Sequence, residues 1–444
     1  MGLRTKKIIA RAGVALLLIA SLGLGIRAIF NYTNGKKLEK YVARLKDEGR
    51  LPAPSEVALP CPDRDNGAHL WKAAEAVILI EGDDKVFLTK ARDFFVWKPV
   101  DETDKKRFEE IVEKNRKVID LVTEAATKSC FRYGDWQKPG YEIEMPDAVK
   151  MIQAIRMLTI DALLKAEKGR PEEAVDQILK GMRFCQLCFD ESILISYLVS
   201  MANAKTLLFN LNRMLSGREL STETLTKIMS ALDPQVWRKG MARTFEFENT
   251  HFCLDMNIRI VRGEKISGLN SSLIDRAFNW LSRPVIKSEI IWTSSRWGEM
   301  EKAALLPYYE NEKTRLWHDK QVEKIPIYYR LTKLVLPQLS SVMMKEATLE
   351  ALVEAARIGL ACRIYRNGEG RFPEKIADLV PHILGGEPLD PFTGKSFVYK
   401  ARENGFIVYS VGSNKKDDRG KGSEITQMVI EKDDDWAWRE NWEF

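Results

Sequence analysis

The first thirty residues contain no aspartate and no glutamate, and residues 12–26 contain no charge of either sign. Elsewhere the 444-residue chain is short of the residue types that most chemistry needs. It has four histidines, His69, His251, His318 and His382, and no two stand at a metal-binding spacing. No G-x-S-x-G, H-E-x-x-H or phosphate-loop pattern occurs, so the usual serine-hydrolase, zinc-protease and nucleotide-binding signatures are excluded. No block of like charge resembles a nucleic-acid arm, and the net charge of +6 is spread along the chain; nucleic acid is not an expected partner. Six cysteines are too few for a disulfide scaffold, and six allow fifteen pairings among which sequence does not choose. Cys185 and Cys188 form a C-x-x-C inside an apolar helical run rather than at a helix start. Core packing is therefore expected of them, with a disulfide or redox pair as the alternative. No catalytic residue is assigned, although carboxylate pairs are plentiful enough to leave a carboxylate hydrolase open.

What the sequence does contain is an apolar run over residues 12–30, interrupted only by Arg27. A membrane-spanning helix needs about 20 mostly apolar residues, and this run suffices if Arg27 extends its charge to the interface. Arg4, Lys6, Lys7 and Arg11 precede it, which favours a cytoplasmic N-terminus. A cleaved signal peptide has the same shape, but Leu18 is large for its place two residues before Ala20. Under either of these leading readings residues 31–444 lie outside the cytoplasm; a buried helix of a soluble protein is the remaining alternative. The expected location is a single pass through the inner (cytoplasmic) membrane, with the bulk of the chain periplasmic.

Composition, 45% hydrophobic and 30% charged, is that of a globular chain. Leu38, Tyr41, Val42 and Leu45 repeat at helical spacing and predict a short amphipathic stalk. The proline-dense L-P-A-P-S-E-V-A-L-P-C-P over 51–62 predicts a stiff, extended connector. Helices are expected with Asp65 or Asn66 as a cap, over 101–128, from 147 to Lys168 with Gly169 as the stop, and from Pro171 onward. Ser221 or Thr222 caps another, and Pro234 opens one reaching about residue 263. The loop 129–146 and the stretch 273–330 are rich in aromatics. They are read as core or packing residues, with an aromatic-lined pocket or, in the later stretch, partner anchors as the alternatives.

The C-terminal part changes character. A strong helix over 345–367 is followed by a D-P-F-T-G turn at 390–394 and a strand with Phe397 and Tyr399. Asn404-Gly405 marks a tight hairpin, and I-T-Q-M-V-I at 425–430 reads as a third strand. The fold class expected is mainly α. It comprises a transmembrane helix, a multi-helix body with helical hairpins, and a small C-terminal α+β module of one long helix and a three-stranded antiparallel sheet. The units expected are a cytoplasmic N-terminus (1–11), an anchor (12–30) and a stalk with connector (31–62). A helical domain (63–263), an aromatic-rich helical region (264–344), the α+β module (345–430) and an acidic, tryptophan-rich tail (431–444) follow. The tail either folds back over the sheet edge or binds a partner.

The order R-I-Y-R-N-G-E-G-R-F-P, then L-D-P-F-T-G-K-S-F-V-Y, then Y-S-V-G-S-N-K-K-D-D-R-G resembles the soluble part of the type II secretion major pseudopilin. The resemblance covers about 85 residues. The whole chain also resembles a group of membrane-anchored proteins of planctomycete-type bacteria that pair a helical body with this ending, a likeness that implies no activity. The pseudopilin resemblance implies calcium in the loop after Y-S-x-G. Ser413, Asn414, Asp417, Asp418 and Glu424 would be its oxygen ligands here, while Lys415, Lys416, Arg419 and Lys421 oppose a cation. The chain departs from pseudopilins at its start, where the mature-helix glutamate and the F-T-L-x-E pattern are missing; processing by a prepilin peptidase is not expected. The functional expectation is a non-catalytic interaction or assembly component of the cell envelope with a protein partner. The alternative is a hydrolase or ligand-binding protein with an aromatic-lined pocket.

Overall fold

Two apolar seams organise the chain, one running beside the N-terminal helix and one around the long C-terminal helix. A computed structural model describes residues 3–51, 53–57, 59–80, 82–88, 101–264, 273–420 and 436–441. The described residues are mainly helical, with a three-stranded antiparallel sheet near the C-terminus, the fold class the periodicity predicts.

Helix α1 runs unbroken over Leu3–Asp47. It contains the one described stretch that is long and apolar enough to cross a membrane, and none of that window is buried against the rest of the chain. The stalk is the same helix continued. Its Leu38, Tyr41 and Leu45 are buried with Leu254 and Ile290, so the amphipathic stripe packs on the body instead of standing free. The connector is not wholly extended: Pro54–Val57 forms a helical turn, which proline favours in the first position.

The body follows as α2 (Ala68–Ala76), α3 (Glu102–Lys114), α4 (Arg116–Ala125), α5 (Ala148–Glu167), α6 (Pro171–Leu187), α7 (Leu194–Leu215), α8 (Thr222–Ala231), α9 (Gln235–Phe247) and α10 (Met256–Arg262). Asn66 accepts from the Ala68 N–H at 3.0 Å, and Ser221 from the Thr224 N–H at 3.1 Å, as their types predict at helix starts. The single helix expected over 101–128 is two helices. Buried Asn115 breaks it, its amide accepting from the Leu79 N–H at 2.8 Å and donating to the Leu79 carbonyl at 3.1 Å. Between α9 and α10 the chain widens into a π-helical stretch, Glu248–Asp255.

Next come α11 (Leu273–Ala304), α12 (Glu312–Val322), α13 (Arg330–Val335) and α14 (Gln338–Glu369). Helix α14 begins ahead of the 345 start expected from the sequence. Its stripe of Leu349, Val353, Ala356 and Leu360 is fully buried, and one apolar core runs from Ala68 to Trp438 through it. Strands β1 (Val398–Arg402) and β2 (Gly405–Ser410) pair antiparallel through the Asn404-Gly405 turn, with Tyr399 opposite Val408. Strand β3 is Trp436–Glu440, which pairs with β2. The strand expected at 425–430 lies outside the described residues. Within the expected tail, residues 436–440 fold back on the sheet as a strand of it. Trp438 lies against α14 at Gly359, and Glu440 pairs with Arg363 at 3.5 Å, both buried.

Candidate functional site

The hairpin brings the two halves of the C-terminal motif together through one carboxylate. Asp390, first residue of D-P-F-T-G, is buried and accepts from the Phe392 N–H at 2.9 Å, the Ser410 hydroxyl at 2.9 Å and the Val411 N–H at 3.1 Å. Burial pushes its carboxyl up, and these donors pull it back. A residue read from sequence as turn chemistry is thus the clasp between the turn and Y-S-V-G. An aspartate followed by proline and paired with a later serine is the signal that sequence reasoning left unused.

The loop after the clasp turns back on itself, with positive φ at Gly412, Lys415, Arg419 and Gly420. Asp417 is exposed and accepts from the Tyr409 hydroxyl at 2.7 Å and the Arg419 N–H at 2.8 Å. The Tyr409 hydrogen bond holds it below the usual carboxylate range. Asp418 accepts from the Asn414 amide at 2.9 Å, and Asn414 in turn accepts from the Lys416 N–H at 2.8 Å. Lys415 reaches Glu312 of α12 at 2.5 Å. Ser413 is half-buried in the same loop. Glu424 lies outside the described residues. Four of the five expected calcium ligands therefore share one loop, with the two aspartates engaged by different partners. Among the described residues no group of three or more His, Cys, Asp or Glu is gathered as a metal set.

A second constellation escaped the sequence reading. Glu346, Glu350 and Glu354 stand four residues apart on α14, so they share one face of the helix. Glu350 pairs with Arg238 of α9, and Glu354 with Arg357 at 3.1 Å. Burial pushes the Glu346 carboxyl well up, with Glu350 adding to it, and burial pushes Glu350 up to about 7. Glutamates inside an apolar stripe, K-E-A-T-L-E-A-L-V-E, are the sequence signal. They line neither of two clefts on the body. One cleft of about 630 Å³ is walled by Arg50, Lys239, Arg243, Glu246, Glu301 and Lys302, with Arg50 and Glu301 paired at 2.8 Å. The other, of about 560 Å³, holds Arg116 forked onto Asp161 at 2.7 and 2.9 Å, with Lys165 at 2.9 Å. No aromatic side chain lines either cleft. Trp136 and Ile143 of the 129–146 loop are buried with Ile193 and Phe247, and Trp297, Tyr308 and Tyr329 are buried in the main core.

Cys130, Cys185, Cys188, Cys362, His251 and His318 are buried, whereas His69 and His382 are exposed. Cys61 and Cys130 form a disulfide. Cys185 and Cys188 are free and buried, and burial pushes both thiols up; a nucleophilic cysteine needs the opposite shift. His251 is pushed down to about 4 by burial and stacks near Phe247, ring centres 4.6 Å apart. No family model, no curated protein and no solved structure matches the chain.

Proposed function

We propose that this chain is a membrane-anchored extracytoplasmic protein that acts in the cell envelope by binding and assembly rather than by catalysis. The observation that carries this reading is α1. Its residues 14–30 expose large apolar side chains such as Leu17, Leu22 and Ile29, while residues 38–45 of the same helix are packed into the body. A soluble helix does not leave such a run unpartnered, and a bilayer supplies the missing partner. The N-terminal basic cluster orients that helix with its start in the cytoplasm. The Cys61–Cys130 disulfide suits an oxidising compartment. A long helix followed by a small antiparallel sheet supports the pseudopilin likeness as a docking module, and calcium in its loop belongs to that proposal.

Thiol trapping on intact cells tests the placement. Cys61 and Cys130 are expected to be oxidised while Cys185 and Cys188 are reduced; reduced Cys61 and Cys130 in the cell would overturn the extracytoplasmic reading. Melting the full chain with calcium and with chelator tests the loop. A rise with calcium that disappears in the Asp417→Ala, Asp418→Ala double variant is expected. A rise that persists unchanged in that variant would rule those ligands out.

The alternative of a hydrolase or ligand-binding pocket draws on the Glu346–Glu350–Glu354 face, of which Glu346 and Glu350 are buried. Carboxylates with raised pKa mark many active sites, but these lie in the helical core and line neither cleft.

A further inference from the structure

Helices α1 and α11 run side by side in the same direction. Arg27 meets Trp280, Asn34 donates to the Pro284 carbonyl at 2.8 Å, Tyr41 bonds Ser294 at 3.0 Å, and Arg50 pairs with Glu301 at 2.8 Å. The sequence offset at these four contacts stays between 250 and 253, so the pair keeps step over its length. Helix α11 begins seven residues ahead of Trp280. At 1.5 Å per residue its first turns therefore extend about 10 Å further, alongside the apolar part of α1.

The surface at that level has two characters. Ile26, Ile29 and Phe30 of α1 and Trp280 and Leu281 of α11 are exposed and apolar. Three cations, Arg27, Arg283 and Lys287, lie along this part of the seam. The Arg27 guanidinium stacks over the Trp280 ring at 3.4 Å, and its Nε is buried with no hydrogen-bond partner. The Arg283 Nε is likewise unpartnered. Lys287 donates to the Asn31 carbonyl at 3.1 Å. Burial lowers the Lys287 ammonium, Arg283 and Arg27 push it the same way, and Glu39 opposes them. Among the described residues none of the three cations pairs with a carboxylate. Tryptophan, exposed aliphatics and unneutralised cations within about two helical turns are the composition of a membrane–water interface.

We propose that the part of α11 around Trp280 and Leu281 is seated in the headgroup layer beside α1, and that Arg27, Arg283 and Lys287 together bind the phosphate of an anionic phospholipid. This rests on α1 being the span. It adds a second membrane contact and a lipid site, and it makes Arg27 a ligand instead of an interruption.

The test uses the full chain. By native mass spectrometry from detergent, phosphatidylglycerol is expected to be retained in preference to phosphatidylcholine. The Arg283→Gln, Lys287→Gln double variant should weaken the phosphatidylglycerol complex by about 25-fold, about fivefold for each cation removed. Arg283→Lys, which keeps the charge, should retain most of the binding. Equal retention of the two lipids, or undiminished binding by the double variant, would overturn the site. A probe at Leu281→Cys in nanodiscs should be quenched by shallow lipid-borne quenchers, and one at Leu306→Cys should not; an unquenched Leu281 position overturns the seating whatever the variants do. Alkaline extraction separates the two levels of the argument. Wild-type chain released into the supernatant defeats the span itself, whereas retained chain with an unquenched Leu281 position defeats only this proposal.

Discussion

The apolar stretch of α1 and the apolar stripe of α14 are similar in composition and opposite in surroundings. Leu17 and Leu22 are about two-thirds exposed, whereas Leu349 and Leu360 are fully buried. Glycine shows the same contrast. A methyl group on Gly13, Gly23 or Gly25 would meet nothing, while one on Gly359 would run into the Trp438 ring. One helix has its packing partner within the chain; the other, in the reading proposed above, has lipid. Sequence pattern says that a helix is apolar, and only the surroundings say which solvent it was made for.

The widest separation should come from one substitution made in both helices. Leu349→Ala is expected to destabilise the body by about 2–5 kcal/mol in denaturant titrations, and Leu17→Ala to leave the body's unfolding within about 0.5 kcal/mol of wild type. Charge sharpens the contrast, because α14 buries glutamates while residues 12–26 of α1 carry none. The folded chain holds protons on Glu346 and Glu350 that the unfolded chain releases above the ordinary glutamate value of 4.5. Stability from this source is full below that pH and is lost as pH rises through about 7, where Glu350 titrates, at up to about 1 kcal/mol per pH unit for each proton. Glu346→Gln should flatten the fall of melting temperature between pH 5 and 8; an unchanged slope would show that these carboxyls do not govern it. Gly359→Ala should cost about 1–3 kcal/mol by displacing Trp438, while Gly23→Ala should not lower the melting temperature. The smallest effect belongs to the surface. Removing the Lys415–Glu312 pair with Lys415→Ala should change stability by no more than about 1 kcal/mol, measured in the same titrations.

Elements whose signals are local were legible from sequence. Gly169 and Pro171 end and start helices where expected, Ser221 caps α8, and Asn404-Gly405 turns the hairpin. What escaped depends on distant partners. Asn115 splits a periodic helix because its amide is engaged by Leu79, 36 residues away. The π-helical stretch 248–255 places Asn249 on Glu301 at 2.6 Å, a contact no local pattern encodes. Of the candidate site, the loop was found by its motif. The Asp390 clasp and the α14 glutamates were missed because burial, not residue type, gives them their character. The cysteine pairing was open for the same reason, since any of fifteen connectivities satisfied the sequence.

The unbroken length of α1 has a mechanical consequence. At 1.5 Å per residue its 45 residues make a rod of about 68 Å, of which, in the reading proposed above, a bilayer's hydrocarbon core would take about 30 Å. No break in the helix separates its apolar part from the part packed on α11. A tilt of about 20°, ordinary for a single span, would swing the end of an arm of about 25 Å sideways by about 9 Å. The body would then act as a pointer whose heading follows the thickness and order of the lipid around it, and whatever docks on the sheet would meet it at an angle set by the membrane.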